Sequence, residues 1–270
     1  MTLSSFELSD KVAVVTGALG KLGPVWIDAL LEAGAKVAGV DLERATAGKR
    51  FVALMQAVGP ERLRLIRGDV TQRSSLEAVL RECRTELGEP CILVNNAGID
   101  QPPGRADTDL LDHIPLEKVR DVFDVNVGGT FLATQVFGGA MAARGHGSVV
   151  NIGSIYASLS PDPRLYDHLP VDPPFLKPPA YGASKAAVLN LTRYFAVHWA
   201  SCGVRVNALS PGGVTGGQDP QFVSKFSSRV PFRRLACDND LGGPLIFLAS
   251  DASSYVTGIE LKVDGGYSSW

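Results

Sequence analysis

The 270-residue chain carries 26 lysines and arginines against 28 aspartates and glutamates, a formal net charge of −2, and is 45% apolar and 20% charged. That balance provides no strongly basic face for nucleic acid, and no apolar run reaches the roughly 18 to 20 residues of a membrane span, so neither is an expected partner. The opening MTLSSFELSDK is not a secretory signal, and Cys83, Cys91, Cys202, Cys237, His113, His146, His168 and His198 fall in no disulfide or metal-finger spacing; a cytoplasmic enzyme without a metal is expected.

Short β-branched runs bounded by Gly or polar residues predict strands at 11–16 (KVAVVT), 35–41 (AKVAGVD), 63–68, 92–95, 148–152 and 204–209, with a last one at 259–263. Apolar residues three and four apart predict helices over 22–32, 74–87, 116–141 and 184–200. This alternation predicts a single α/β domain: a Rossmann fold, with a doubly wound parallel sheet of about seven strands and helices on both faces. Residues 159–179 stand apart, with seven prolines in 21 positions. Proline removes backbone donors and fits neither helix interior nor central strand, so a long surface loop without secondary structure is expected there.

After the first strand, Thr16-Gly17-Ala18-Leu19-Gly20-Lys21-Leu22-Gly23 leads into an apolar helix. Glycines here allow a tight turn, close approach of a pyrophosphate and close helix–strand packing, with free N–H groups at the helix start facing the phosphates. The same glycines also serve a purely steric turn. Asp41 ends the second strand 18 residues after Gly23. A carboxylate there accepts both adenosine ribose hydroxyls and repels a 2′-phosphate, which favours NAD; Lys21 and Arg44 leave NADP open. Alternatively, Asp41 caps a helix starting near residues 42–45.

Further on, Tyr181-Gly182-Ala183-Ser184-Lys185 opens a helix, and the i, i+4 spacing sets Tyr181 and Lys185 on one face. A free phenol titrates near pH 10, too high for a base at neutral pH, and an adjacent ammonium favours the phenolate. Ser154, ending the fifth strand, offers a hydroxyl to hold a substrate oxygen beside that phenol.

With Gly68-Asp69-Val70, Asn95-Asn96-Ala97-Gly98, Asn126, Arg205-Val206-Asn207, Ser210-Pro211-Gly212 and Val263-Asp264-Gly265-Gly266, these segments resemble the short-chain dehydrogenase/reductase family from about residue 10 to residue 267. The resemblance implies hydride exchange between C4 of a nicotinamide and a substrate carbon. It makes Tyr181 the general acid/base, Lys185 the residue that binds nicotinamide ribose and lowers the tyrosine pKa, Ser154 the group orienting the substrate oxygen, and Asn126 the holder of a relay water. It assigns the cofactor to Gly17, Leu19, Gly20, Lys21, Leu22, Gly23, Asp41, Asp69, Val70, Asn96, Ala97, Gly98, Tyr181, Lys185, Pro211, Gly212 and Val214, and it implies a homotetramer.

Two departures from the family pattern stand out. The glycines read GxxGxxG, with Lys21 where the commoner turn has its middle glycine. That spacing is usual in the extended epimerase and dehydratase branch, but only 85 residues follow Lys185, too few for that branch's substrate domain. Ser154 and Tyr181 lie 27 residues apart, about twice the family's usual gap, and the surplus is the proline-rich segment. Ser154-Ile155-Tyr156, Pro161-Asp162-Pro163-Arg164 and Tyr166 are similar to reductases of surface-glycan and flagellin-modification sugars.

The insertion between Ser154 and Tyr181 predicts a substrate lid, or else a loop covering a neighbouring subunit. Its Asp162, Arg164, Tyr166, Asp167 and His168 suit a sugar, polyol or sugar acid, with Ser154, Tyr156, Arg164 and Tyr181 as candidate substrate contacts. Tyr194, Phe195 and Trp199 read as core or subunit contacts, and Cys91 as a small buried hydrophobe. Two alternatives to a sugar or polyol oxidoreductase remain: a 3-oxoacyl-carrier-protein reductase, and a cofactor-binding protein without chemistry. The presence of Asn126, Ser154, Tyr181 and Lys185 together favours an enzyme.

Overall fold

The structure is a computed structural model that describes residues 3–100 and 109–270. Seven parallel strands form one sheet, in the order β3 (Leu63–Arg67), β2 (Lys36–Asp41), β1 (Val12–Thr16), β4 (Pro90–Asn95), β5 (Gly147–Ile152), β6 (Val204–Pro211) and β7 (Glu260–Val263). Each strand observed lies within two residues of its expected bounds.

Successive side chains of a buried strand feed opposite faces, and β1 does so cleanly. Ala13 and Val15 join the core under α1 (Gly23–Glu32), α2 (Lys49–Val58) and α9 (Asp238–Ala249). Val12 and Val14 join the core under α3 (Arg73–Glu86), α7 (Pro179–Trp199) and the long helix of residues 116–144. That helix is built from α4 (Leu116–Phe123), α5 (Thr130–Ala133) and α6 (Gly139–Arg144), joined by two widened π turns, Asp124–Gly129 and Thr134–Gly138. Such turns recur at functional sites, and Asn126 sits in the first.

Three differences from the sequence expectations concern the site. No helix starts at residues 42–45; α2 begins at Lys49, so Asp41 caps nothing of that kind. Helix α7 begins at Pro179, placing Tyr181 in its first turn rather than at its opening. The segment 159–179 is not a structureless loop. Asp162 caps a short 3₁₀ turn, Pro163–Leu165, its Oδ1 accepting from Arg164 N at 2.9 Å. Leu165, Tyr166 and Phe175 are buried with Phe226 of α8 (Pro220–Arg229), Val230 and Leu235 in a small separate core. Ion pairs of Asp162 with Arg229 and of Asp167 with Lys225 tie the segment to α8 of the same chain. Aromatic burial supplies the order that the missing backbone donors of proline do not.

Candidate active site

The strand order reverses between β1 and β4, and the loops leaving the carboxyl ends of β1, β2, β4, β5 and β6 line a cleft of about 1230 Å³ there, the crevice where open α/β sheets bind ligands. Gly17 has φ +64°, and a Cβ on it would lie 2.7 Å from Ala97 Cα, so only glycine lets the turn lie against the β4 loop. Asn96 locks that approach: its Nδ2 donates to Thr16 O (3.1 Å) and Gly17 O (2.9 Å), and its Oδ1 accepts from Trp26 Nε1 (2.8 Å). Gly17, Leu19, Gly20, Lys21 and Leu22 line the cleft. Gly23 does not. A Cβ there would lie 2.4 Å from Ala18 O, so its place is close packing of α1 rather than a cofactor contact.

Asp41 Oδ2 faces the glycine turn, accepting from Leu19 N at 2.8 Å, while Oδ1 accepts from the adjacent Leu42 N at 2.9 Å. A carboxylate has about four acceptor positions, so capacity for two ribose hydroxyls remains. Lys21 Nζ donates to Val214 O at 3.2 Å, bridging the glycine turn to the loop after β6, and burial lowers its pKa. Arg44, Asp69, Val70, Ala97, Gly98, Pro211, Gly212 and Val214 also line the cleft. Asp69 Oδ1 is held by Thr71 N (2.9 Å) and Thr71 Oγ1 (2.7 Å). A glycine-lined turn, a rim carboxylate and flanking cations fit a nicotinamide dinucleotide in size and in charge.

At the far end of the cleft lie buried Ser154, whose Oγ accepts from Tyr156 N at 3.2 Å, and the phenol of Tyr181. Lys185 is buried one helical turn on; its Nζ donates to Ile152 O at 2.7 Å and lies 5.8 Å from the centre of the Tyr181 ring. Burial pushes the Tyr181 phenol above its ordinary range and Asp100 adds to this, while Ser154 opposes it. Burial likewise lowers Lys185 to about 8, against the pull of Asp100. The ammonium is thus bonded to a carbonyl rather than set against the phenol oxygen, and the phenol is not depressed as its neighbour alone suggests.

Two candidates lie elsewhere than expected. Asn126 is fully buried and off the cleft wall: Oδ1 accepts from Ile99 N (2.7 Å), and Nδ2 donates to Ile99 O (3.1 Å) and Ser184 Oγ (3.0 Å). Its side chain therefore splices the β4 loop to α7. Arg164 is 76% exposed and turned onto Asp162, with Nη2 to Oδ2 at 2.8 Å. The 3₁₀ turn points it outward, which removes it as a substrate contact.

Tyr156 does line the cleft, as does Tyr166; burial raises both phenols, Tyr166 to about 12. The sequence reading overlooks Asp100, Lys177, Gln218, Asp219 and Phe222, all on the cleft wall. The one legible signal among them is Asp219-Pro220, an N-cap followed by a first-turn proline.

A family model described as short chain dehydrogenase matches residues 11–165, and one described as enoyl-(acyl carrier protein) reductase matches residues 173–268. Galactitol 2-dehydrogenase (L-tagatose-forming) of Cereibacter sphaeroides is 35% identical over 271 residues, covering 98% of each chain. Gluconate 5-dehydrogenase from Burkholderia cenocepacia J2315, solved with NADP and tartrate, has a TM-score of 0.83 at 30% identity over 99% of both chains. A short-chain dehydrogenase from Leptospira borgpetersenii with bound NAD+ also reaches 0.83, at 29% identity over 99% of this chain and 96% of that one.

Proposed function

The chain belongs to the short-chain dehydrogenase/reductase family, and on that premise we propose that it interconverts one carbinol of a small sugar, polyol or sugar acid with the matching carbonyl. The observation that carries this reading is Ser154 and Tyr181 together beyond the end of β5, in the same cleft as the glycine turn, with Lys185 buried 5.8 Å from the centre of the Tyr181 ring. A bound nicotinamide dinucleotide supplies the hydride acceptor for oxidation and the donor for reduction. Ser154 holds the substrate oxygen, and Tyr181 takes its proton as the carbinol becomes a carbonyl and returns it in reduction. Lys185 holds a positive charge behind the phenol ring, available to a phenolate as it forms. The cleft wall beyond Tyr181 bears Tyr156, Tyr166, His168, Lys177 and Gln218, which suits a hydroxylated substrate better than a long acyl chain. The segment 159–179, packed on α8, is the lid of that region, and the whole chain acts as one unit.

The test is a screen at the nicotinamide absorbance with hexitols, aldonates, ketoses and 3-oxoacyl thioesters, against NAD and NADP separately. Turnover of the thioesters alone would overturn the substrate class.

NAD is the preferred cofactor in this reading, with Asp41 taking the ribose hydroxyls and opposing a 2′-phosphate. Asp41→Ala is then expected to weaken NAD and narrow its lead over NADP, read as kcat/KM for each. A wild-type preference for NADP would hand the ribose site to Arg44 and Lys21.

A cytoplasmic setting is in keeping with four cysteines that form no disulfide. The working form is a homotetramer. Exposed Tyr194 and Val197 on α7, Leu116 on α4 and Trp270 at the chain end are the apolar surfaces it would cover. A monomeric mass in solution at micromolar concentration would refute that assembly.

A further inference from the structure

Two charged residues beside the reacting end take no part in the chemistry above. Lys177 ends the proline-rich segment just before α7, and its side chain is only 8% exposed. Its Nζ stands 5.0 Å from the centre of the Tyr181 ring, on which a cation sits favourably, and is paired with the carboxylate of Asp100. Asp100 leaves the β4 loop from the other side of the cleft, and both residues line the cavity that holds Ser154 and Tyr156. The pair thus spans the mouth between lid and cofactor loop, next to the phenol that would touch the reacting oxygen.

An ammonium only donates hydrogen bonds, and a carboxylate only accepts them. Side by side they match a hydroxyl, which does both, and match still better two neighbouring hydroxyls, one turned to each. A substrate carboxylate finds one partner and one adversary there: it can bond Lys177 only by displacing or approaching Asp100, and like charges that close oppose entry in a partly buried site.

We propose that Asp100 and Lys177 together form the subsite that reads the hydroxyls flanking the reacting carbon, and that the pair selects a neutral polyol or ketose over the corresponding aldonate. This rests on the sugar and polyol reading above and narrows it.

Steady-state kinetics with galactitol and galactonate, on wild type, Asp100→Asn and Lys177→Met, tests it, with NAD binding by fluorescence as the folding control. Wild type should favour the hexitol. Asp100→Asn should lower hexitol kcat/KM by about tenfold or more, chiefly through KM, the scale of a lost charge-assisted hydrogen bond. The same variant should gain on the aldonate, because Lys177 is released and the opposing charge is gone. Lys177→Met should weaken hexitol use without any gain on the aldonate. An aldonate preference in wild type, or a hexitol-to-aldonate ratio unmoved in Asp100→Asn, would overturn the subsite while leaving the oxidoreductase reading intact. Wild type inactive on both compounds would withdraw both readings.

Discussion

Tyr181→Phe is expected to cut turnover by about two to four orders of magnitude, the usual worth of general acid–base help, and to leave NAD binding nearly unchanged. The substitution removes one oxygen. The ring remains within reach of Lys177 and Lys185, and Ser154 keeps its place beyond the end of β5. Single-turnover kinetics and a fluorescence titration of cofactor separate the two effects; near-normal turnover would sink the mechanism. The direction of the phenol's shift adds a second readout. Because burial holds the Tyr181 proton on, alcohol oxidation, which needs the base form, should rise with pH through the alkaline range. Ser154 is the contact that pulls the phenol down, so Ser154→Ala should push that limb further alkaline as well as slow it.

The sheet was legible because its central strands are apolar runs buried on both faces, and the glycine turn because it follows one of them directly. Helix α9 was not, because Leu241-Gly242-Gly243-Pro244 reads locally as a turn. What makes it a helix is tertiary: Leu241, Leu245 and Leu248 are fully buried in the core under α1, and that burial outweighs poor propensity. At the site, residue types were legible and directions were not. Arg164 and Lys177 are two cations in one proline-rich stretch, and nothing in their neighbours' letters says which turns inward. The fold decides it through Leu165, Tyr166 and Phe175, which pin the segment on α8 so that the capped turn swings Arg164 out while the approach to α7 carries Lys177 in. The direction of Asn126 was hidden for a similar reason. Its identity fits a polar role, but the widened turn around it aims the amide at the Ile99 backbone.

Lys185→Met is expected to abolish useful turnover and, independently, to change how stability depends on pH. Burial lowers the folded-state pKa of Lys185 from 10.5 to about 8. Below pH 8 the residue is charged in both folded and unfolded chains, and the folded chain bears the full cost of holding an ammonium out of water. Above about pH 10.5 it is neutral in both and the cost is gone. Between those limits the unfolded chain binds more protons, so this residue's contribution to stability rises with pH, by about 3 kcal/mol across the whole window at 1.36 kcal/mol per pKa unit. Methionine has no such titration. The hydrogen bond to Ile152 O is stronger from the ammonium than from the neutral amine, and that difference is already contained in the folded-state pKa. Urea unfolding of both proteins at several pH values from 7 to 10.5 measures the difference directly: wild type should gain on the variant steadily above pH 8. A flat difference across that range would mean that Lys185 keeps an ordinary pKa in the folded chain, with its ammonium solvated or paired instead of buried against a single carbonyl.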